Sequence, residues 1–181
     1  MILCCGEALI DMLPQDSGGG RPAWSAFPGG AIFNTAVALG RLGARVGIFT
    51  GLSSDGFGDM LRADLATACV DHSLCPQTEA KTALAFVALA NGQARYSFHD
   101  AGSAHRMLTR DPAIALSEDV SALFFGGISL AAEPCGETLE ALLGQEGAGR
   151  VVMLDPNIRP AFVQEDSAYR ARLDRMIALS D

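Results

Sequence analysis

Runs of apolar residues with changing period divide the chain into predicted elements. MILCCGEALI (1–10) is nearly continuous in apolar residues and predicts a buried strand that ends near Asp11 and Pro14. QDSGGGRP (15–22) reads as a flexible turn, and AWSAF (23–27) as a short extended segment of alternating bulk. Gly29 and Gly30 precede a helix predicted from about Ala31 to Leu42, and ARVGIFTG (44–51) predicts another short strand. SSDGFGDMLRADLATA (53–68) predicts a helix capped by Ser54 or Asp55, with Phe57, Leu61 and Leu65 on one face. The texture then changes. TALAFVALANGQARYSFH (82–99) is two strand-like runs around Asn91-Gly92, a strong hairpin signal. ALFFGGIS (122–129), GETLEALLGQ (136–145), RVVMLDPN (150–157) and SAYRARLDRMIALSD (167–181) predict strand, helix, strand and helix. The order β-α-β-α, hairpin, β-α-β-α predicts a mostly parallel sheet with helices on both faces. The hairpin and AWSAF do not fit that sheet and predict a small accessory sheet.

Composition narrows the function classes. The chain has 181 residues, enough for one domain, with 49% hydrophobic and 19% charged residues. Its net charge of −8 argues against nucleic acid or an anionic membrane as the main partner. A small anion held by a few arginines stays compatible, and Lys81 is the sole lysine. No run reaches the roughly 18 apolar residues of a membrane helix, and Glu7 and Asp11 interrupt the N-terminal apolar run, which lacks the pattern of a signal peptide. Cys4, Cys5, Cys69, Cys75 and Cys135 are odd in number and lack CxxC spacing, which predicts reduced core thiols in a cytoplasmic protein and no metal site.

Several chemistries fail on spacing. Around Lys81, Cys75 and Ala80 stand where a phosphate-binding P-loop needs glycines. GGGRPA (18–23) contains Pro22 and leads into an extended segment, so it is no dinucleotide fingerprint. Gly127-Ile-Ser129-Leu-Ala131 approaches a nucleophile elbow, but His72, His99 and His105 all precede Ser129, the wrong order for that hydrolase fold. Gly126 and Gly127 read better as a turn at a strand end. Gly147-Ala-Gly149 sits between a helix and a strand, as a turn leaving a helix.

What remains is a set of polar residues at or beyond predicted strand ends, where open α/β sheets bind ligands. Asp11 is a turn residue or a carboxylate for two vicinal hydroxyls. Gly29 and Gly30 make a plain turn, or let a polyol approach backbone amides at a helix start. Asn34 is a solvent-facing helix residue or an amide that reads a hydroxyl. Asp155 and Pro156 stop a strand, and nearby Arg159 is a surface charge or a fixed guanidinium for a phosphate in transit. Each bland reading is adequate singly. Together the residues outline a hydroxyl-rich ligand beside an anion.

Four motifs occur in order: GEALIDMLP (6–14), PGGAIFNTAVALGRLGA (28–44), GISLAAEP (127–134) and DPNIRPAF (155–162). Together they resemble the PfkB, or ribokinase-like, carbohydrate kinases, in the fructokinase-like branch. The resemblance implies a three-layer α/β/α ribokinase-like fold with a mostly parallel central sheet and a small β lid. Residues 1–181 would form one α/β domain, with lid segments near 8–28, 70–76 and 82–100. It implies phosphoryl transfer from ATP, with Mg²⁺, to a hydroxyl of a small sugar, fructose first. Asp11, Gly29, Gly30 and Asn34 would hold sugar hydroxyls. Tyr96 or Phe98 would cover the sugar, since only alternate strand residues face it. Asn157 and Arg159 would lie on the phosphate side. A homodimer through the lid is among the implied partners.

The sequence departs from the family pattern at Ile32, where a small residue or proline is common, and at Ser53, where glycine is common. The family's Gly-Ala-Gly-Asp stretch, which carries the catalytic base, is not matched, because Gly147-Ala-Gly149 is followed by Arg150. The chain is therefore expected to correspond to the front part of such a kinase, with the C-terminal part of the fold and the base outside it. Two other functions stay open: a nucleoside kinase of the same fold, and a non-catalytic sugar-binding module.

Overall fold

The computed structural model describes residues 1–16, 18, 21–90, 93–111 and 115–181. The Asn91-Gly92 turn and part of the Gly18–Gly20 turn lie outside the described residues. The chain runs β1 (Ile2–Cys5), β2 (Leu9–Gln15), β3 (Ala23–Gly29), α1 (Ala31–Arg41), β4 (Val46–Phe49), β5 (Leu52–Ser53), α2 (Gly56–Thr67), β6 (Gln77–Thr78), β7 (Leu84–Ala90) and β8 (Gln93–His99). It continues through β9 (Ala122–Gly126), a 3₁₀ turn (Ile128–Ala131), α3 (Cys135–Glu146), β10 (Val151–Asp155), a second 3₁₀ turn (Pro160–Phe162) and α4 (Asp166–Ile177).

β10, β9, β1 and β4 form, in that order, a wholly parallel sheet. Alternation along β1 explains the three layers. Leu3 and Cys5 join one buried cluster with Leu139, Leu142, Leu143 and Tyr169 of α3 and α4. Cys4 joins another with Ile32, Phe33, Leu61 and Leu65 of α1 and α2. A strand covered on both faces has no polar side to show, hence its unbroken apolar run. Among the described residues, no helix is long and apolar enough to cross a membrane. Burial raises the thiols of Cys4 and Cys135 to about 12. The core-thiol expectation fails at Cys69, which is exposed.

The first apolar run is not one strand. It breaks after Cys5, and Leu9–Gln15 belongs to a second sheet of order β3-β2-β7-β8. The break falls at Gly6, where a Cβ would stand 2.5 Å from Cγ1 of Ile32, so α1 packs directly on the backbone there. Asp11 is accordingly the third residue of β2 and does not end a core strand. The second sheet contains AWSAF and both runs of the hairpin.

The segment near 70–76 is not part of that second sheet. Ile48 donates to the Asp71 carbonyl at 2.8 Å and Asp71 donates to the Val46 carbonyl at 3.0 Å, so the segment runs along the free edge of β4. An edge strand leaves a row of backbone groups to be satisfied, and this segment satisfies them.

Asp55 is the cap of α2, accepting from the Gly58 amide at 2.8 Å. It also accepts from the amide and hydroxyl of Thr82, at 2.9 and 2.7 Å, and so ties α2 to the approach to β7. Burial opposes its charge, but these bonds and the Ser53 hydroxyl outweigh burial and hold the carboxyl down at about 2. An Asp55→Ala variant is expected to lose about 1–2 kcal/mol in a urea melt at pH 7. Because the folded value lies below the unfolded one, that stabilisation is present above about pH 4 and is lost as pH falls toward 2. The gap between wild type and variant should therefore close on acidification.

Candidate active site

A cavity of about 530 Å³ lies between the second sheet and the ends of β1 and β10. β2 contributes Leu9 and Asp11, and β8 contributes Tyr96 and Phe98. Each pair is two residues apart, which puts both members on one face of a strand. The register continues the row: Phe27 lies opposite Asp11, Asp11 beside Ala85, and Ala85 opposite Phe98. Gly30, Ala31 and Asn34 line the cavity from the start of α1. Asn157, Arg159 and the Pro160–Phe162 turn line it from the loop after β10.

Residues far apart in sequence thus meet as expected: Asp11, Gly30, Asn34, Tyr96, Phe98, Asn157 and Arg159 share one cavity. Gly29 does not line it. Its missing Cβ makes room for a carboxylate, because a Cβ there would stand 2.3 Å from Oδ2 of Asp11.

The helix start is occupied differently from the expectation. The Ala31 amide donates to Oε1 of Glu7 at 2.9 Å, and the Phe33 amide to the Glu7 carbonyl at 3.2 Å. Gly30, at φ 105, would bring a Cβ to 3.1 Å from Cγ of Glu7. The double glycine therefore accommodates two acidic side chains, and Glu7 caps α1 from 24 residues upstream.

Asp11 is half-buried, and among the described residues no donor reaches its carboxylate. Burial raises its proton affinity. A desolvated acceptor without a protein partner is poised for donors from a ligand. Asn157 has a positive φ of 43, which asparagine tolerates, and its amide donates to Oδ1 of Asp155 at 3.0 Å. This turn carries the chain back from β10 toward the cavity. The Arg159 guanidinium is exposed and donates to the Ile158 carbonyl at 3.2 Å; among the described residues it forms no ion pair. One wall of the cavity is thus acidic and another carries an exposed cation.

Two further residues enter that sequence reasoning missed. Phe162 packs edge-on against Phe98 with ring centroids 4.4 Å apart, and Phe98 stacks with Tyr96 at 5.8 Å. The second sheet is thereby fastened to the Arg159 loop by aromatic contact. Glu7 is the other, and its signal was an acid inside an apolar run, which must find partners once buried. Ser129 is no nucleophile: its buried hydroxyl donates to Oε2 of Glu7 at 2.9 Å. Gly147 caps α3 and Arg150 binds the Glu146 carbonyl, so that glycine pair leaves a helix as expected. Among the described residues no three His, Cys, Asp or Glu side chains group to hold a metal ion.

The profile of the pfkB family carbohydrate kinases matches residues 1–181. A fructokinase of Rhizobium leguminosarum bv. trifolii is 52% identical over 181 residues, which is 100% of this chain and 56% of that protein. Fructokinase-1 of Zea mays is 38% identical over 168 residues, 89% of this chain and 52% of that one. The crystal structure of fructokinase from Xylella fastidiosa superposes with a TM-score of 0.88 at 33% identity, covering 99% of this chain and 57% of its own. The fructokinase of Vibrio cholerae O395 in its fructose-, ADP- and calcium-bound form gives 0.81 at 25% identity, over 99% and 58%. The chain spans a little over half the length of these relatives. With its motifs, its three-layer fold and these matches in agreement, the chain belongs to the pfkB family of carbohydrate kinases.

Proposed function

We propose that this chain forms the sugar-binding side of an ATP-dependent fructokinase. The observation that carries the reading is the unpartnered Asp11 carboxylate facing one cavity with Asn34 and Arg159, under the rings of Tyr96 and Phe98. Asp11 accepts hydrogen bonds from two neighbouring sugar hydroxyls, and the Asn34 amide reads a third. Tyr96 and Phe98 cover the apolar C–H face of the sugar. Gly30 and Gly29 act by admitting Glu7 and Asp11 to their places. ATP supplies the phosphoryl group that is transferred. Arg159, with Asn157 beside it, meets the charge on that group on the side away from Asp11.

Fructose is the preferred sugar in this proposal, supported by the fructokinases that match the whole chain. ATP is supported by the Xylella fastidiosa fructokinase with bound ATP, 34% identical to this chain. Mg²⁺ would accompany ATP in the proposed reaction, and the described residues offer it no ligand cluster. The catalytic base is proposed to come from outside these 181 residues. A homodimer through the second sheet would cover Phe27, which is 46% exposed on the same face as Asp11. Residence in the cytoplasm fits the free cysteines.

The test is a coupled ATP-consumption assay on the full-length protein across a panel of sugars and nucleosides, with calorimetric titration of the same ligands. Fructose is expected to give the largest turnover. Consumption only with nucleosides, or no binding of any sugar, overturns the reading. The aromatic bridge gives a finer check: Phe162→Ala should raise the sugar KM by roughly two- to tenfold, the worth of one edge-on ring pair, with kcat changed less.

A further inference from the structure

Glu7 stands in the link between β1 and β2 and is 2% exposed. Two segments distant in sequence, the start of α1 and the Gly127–Ser129 turn, meet on this one side chain. Oε1 receives the Ala31 amide at the head of α1, and Oε2 receives the Ser129 hydroxyl at 2.9 Å. Gly127 completes the seat, since a Cβ there would fall 2.1 Å from Oε2. The Gly127 amide in turn donates to the Asp155 carbonyl at 3.2 Å, and Asp155 holds the Asn157 amide. A continuous set of bonds therefore runs from the helix that carries Asn34, through Glu7, to the loop that carries Asn157 and Arg159.

An ordinary helix cap would explain one of these bonds. It would not explain the second oxygen, which is spent on a residue 122 positions away. Filling space would not explain the residue type, because burial raises the carboxyl above its ordinary range, a cost that an apolar side chain does not carry. What leucine cannot do is satisfy the Ala31 amide and the Ser129 hydroxyl together.

We propose that Glu7 is a positioning residue for the sugar site: its carboxylate sets the spacing between the start of α1, with Asn34, and the Gly127–Ser129 turn that backs the Asn157–Arg159 loop. This inference rests on the reading of the cavity as a sugar site. Glu7 also lines the cavity, but it is almost wholly buried and each of its oxygens already accepts from the protein, so its task is to hold these segments rather than to bind the ligand.

The test is calorimetric titration of the full-length protein with D-fructose, with a thermal melt of every variant. Glu7→Leu fills the site with an apolar side chain and breaks both bonds, and is expected to weaken fructose binding roughly tenfold or more. Glu7→Gln presents a carbonyl to the Ala31 amide and an NH₂ to the Ser129 oxygen. It is expected to recover affinity to within about threefold of wild type. Ser129→Ala cuts only the tie to the turn and is expected to weaken binding by about threefold. If Glu7→Leu does not fold, Ser129→Ala decides. Wild-type affinity in a folded Glu7→Leu, or in Ser129→Ala when the leucine variant fails, overturns the proposal. So does a Glu7→Gln as weak as Glu7→Leu, which would mean that the charge acts on the ligand itself. Failure of the wild type to bind any sugar sinks the site reading instead, and the two failures are thereby told apart.

Discussion

Asp11→Asn is expected to weaken fructose binding by roughly ten- to a hundredfold, the loss of about one charge-assisted hydrogen bond, while making the unliganded protein slightly more stable at pH 7. The two effects have one cause. Asp11 is half-buried among Leu9, Phe98 and its neighbours in the second sheet, and no protein donor among the described residues compensates its charge. Burial therefore raises its pKa above 3.8. The unfolded chain releases this proton at lower pH than the folded one does. The contribution of Asp11 to stability is thus complete below the unfolded value and is lost as pH rises through the folded value. Asparagine carries no charge to desolvate and is free of that loss. With sugar bound the balance reverses, because each carboxylate oxygen accepts from one hydroxyl, whereas asparagine replaces one of those oxygens by an NH₂ that cannot accept and gives up the charge. Paired calorimetry and thermal melts check both halves. An unchanged fructose affinity removes Asp11 from the site, and a clear drop in melting temperature would show that it has a structural partner after all.

The parts legible in the sequence were those with a local signal. The parallel core, the helix after Gly30, the cap at Asp55 and the turn at Gly126-Gly127 all follow from period, turn chemistry or capping residues. The convergence of the site residues follows from such a rule only in part: parallel strands bring their C-terminal ends to one rim, which places Asn157 and Arg159 after β10, but Asp11 lies within β2 and Asn34 follows β3, both strands of the second sheet. Other features depend on contacts that leave no trace in a short window. Periodicity could not split residues 1–15 into two strands, because both are apolar at their start and Gly6 carries no hydrophobic information. Segment 70–76 could be placed along β4 only by knowing that β4 is an edge. The Gly29-Gly30 pair is legible as a demand for space, but which groups use that space is not. Two protein carboxylates stand against the pair, Asp11 at Gly29 and Glu7 at Gly30, and Glu7 comes from the far side of β3 in sequence.

Arg159→Ala is expected to lower kcat by about 10²–10³-fold, the usual worth of a charge aimed at a developing anion, with fructose affinity held within about threefold. The structure separates these two parameters. The guanidinium is exposed, and among the described residues it binds only the neighbouring Ile158 carbonyl and is held by no carboxylate. Such a side chain gives little to ground-state binding of a neutral sugar, which has no charge for it to meet. Its contribution grows only as charge moves between oxygens during transfer, and an interaction made in the transition state alone appears in kcat. Arg159→Lys should recover only part of the loss, since an ammonium offers one compact charge where the planar fork offers paired donors. The position of the loop is set from below by the Asp155 turn and from the side by the Phe162–Phe98 contact. Glu7→Leu should therefore lower kcat in Arg159-containing protein far more than in Arg159→Ala, where the group to be positioned is already gone. Equal kcat losses in the two backgrounds would uncouple Glu7 from Arg159, whereas an unchanged kcat in Arg159→Ala, or a rise in its fructose KM as large as the fall in kcat, would remove Arg159 from the phosphate side.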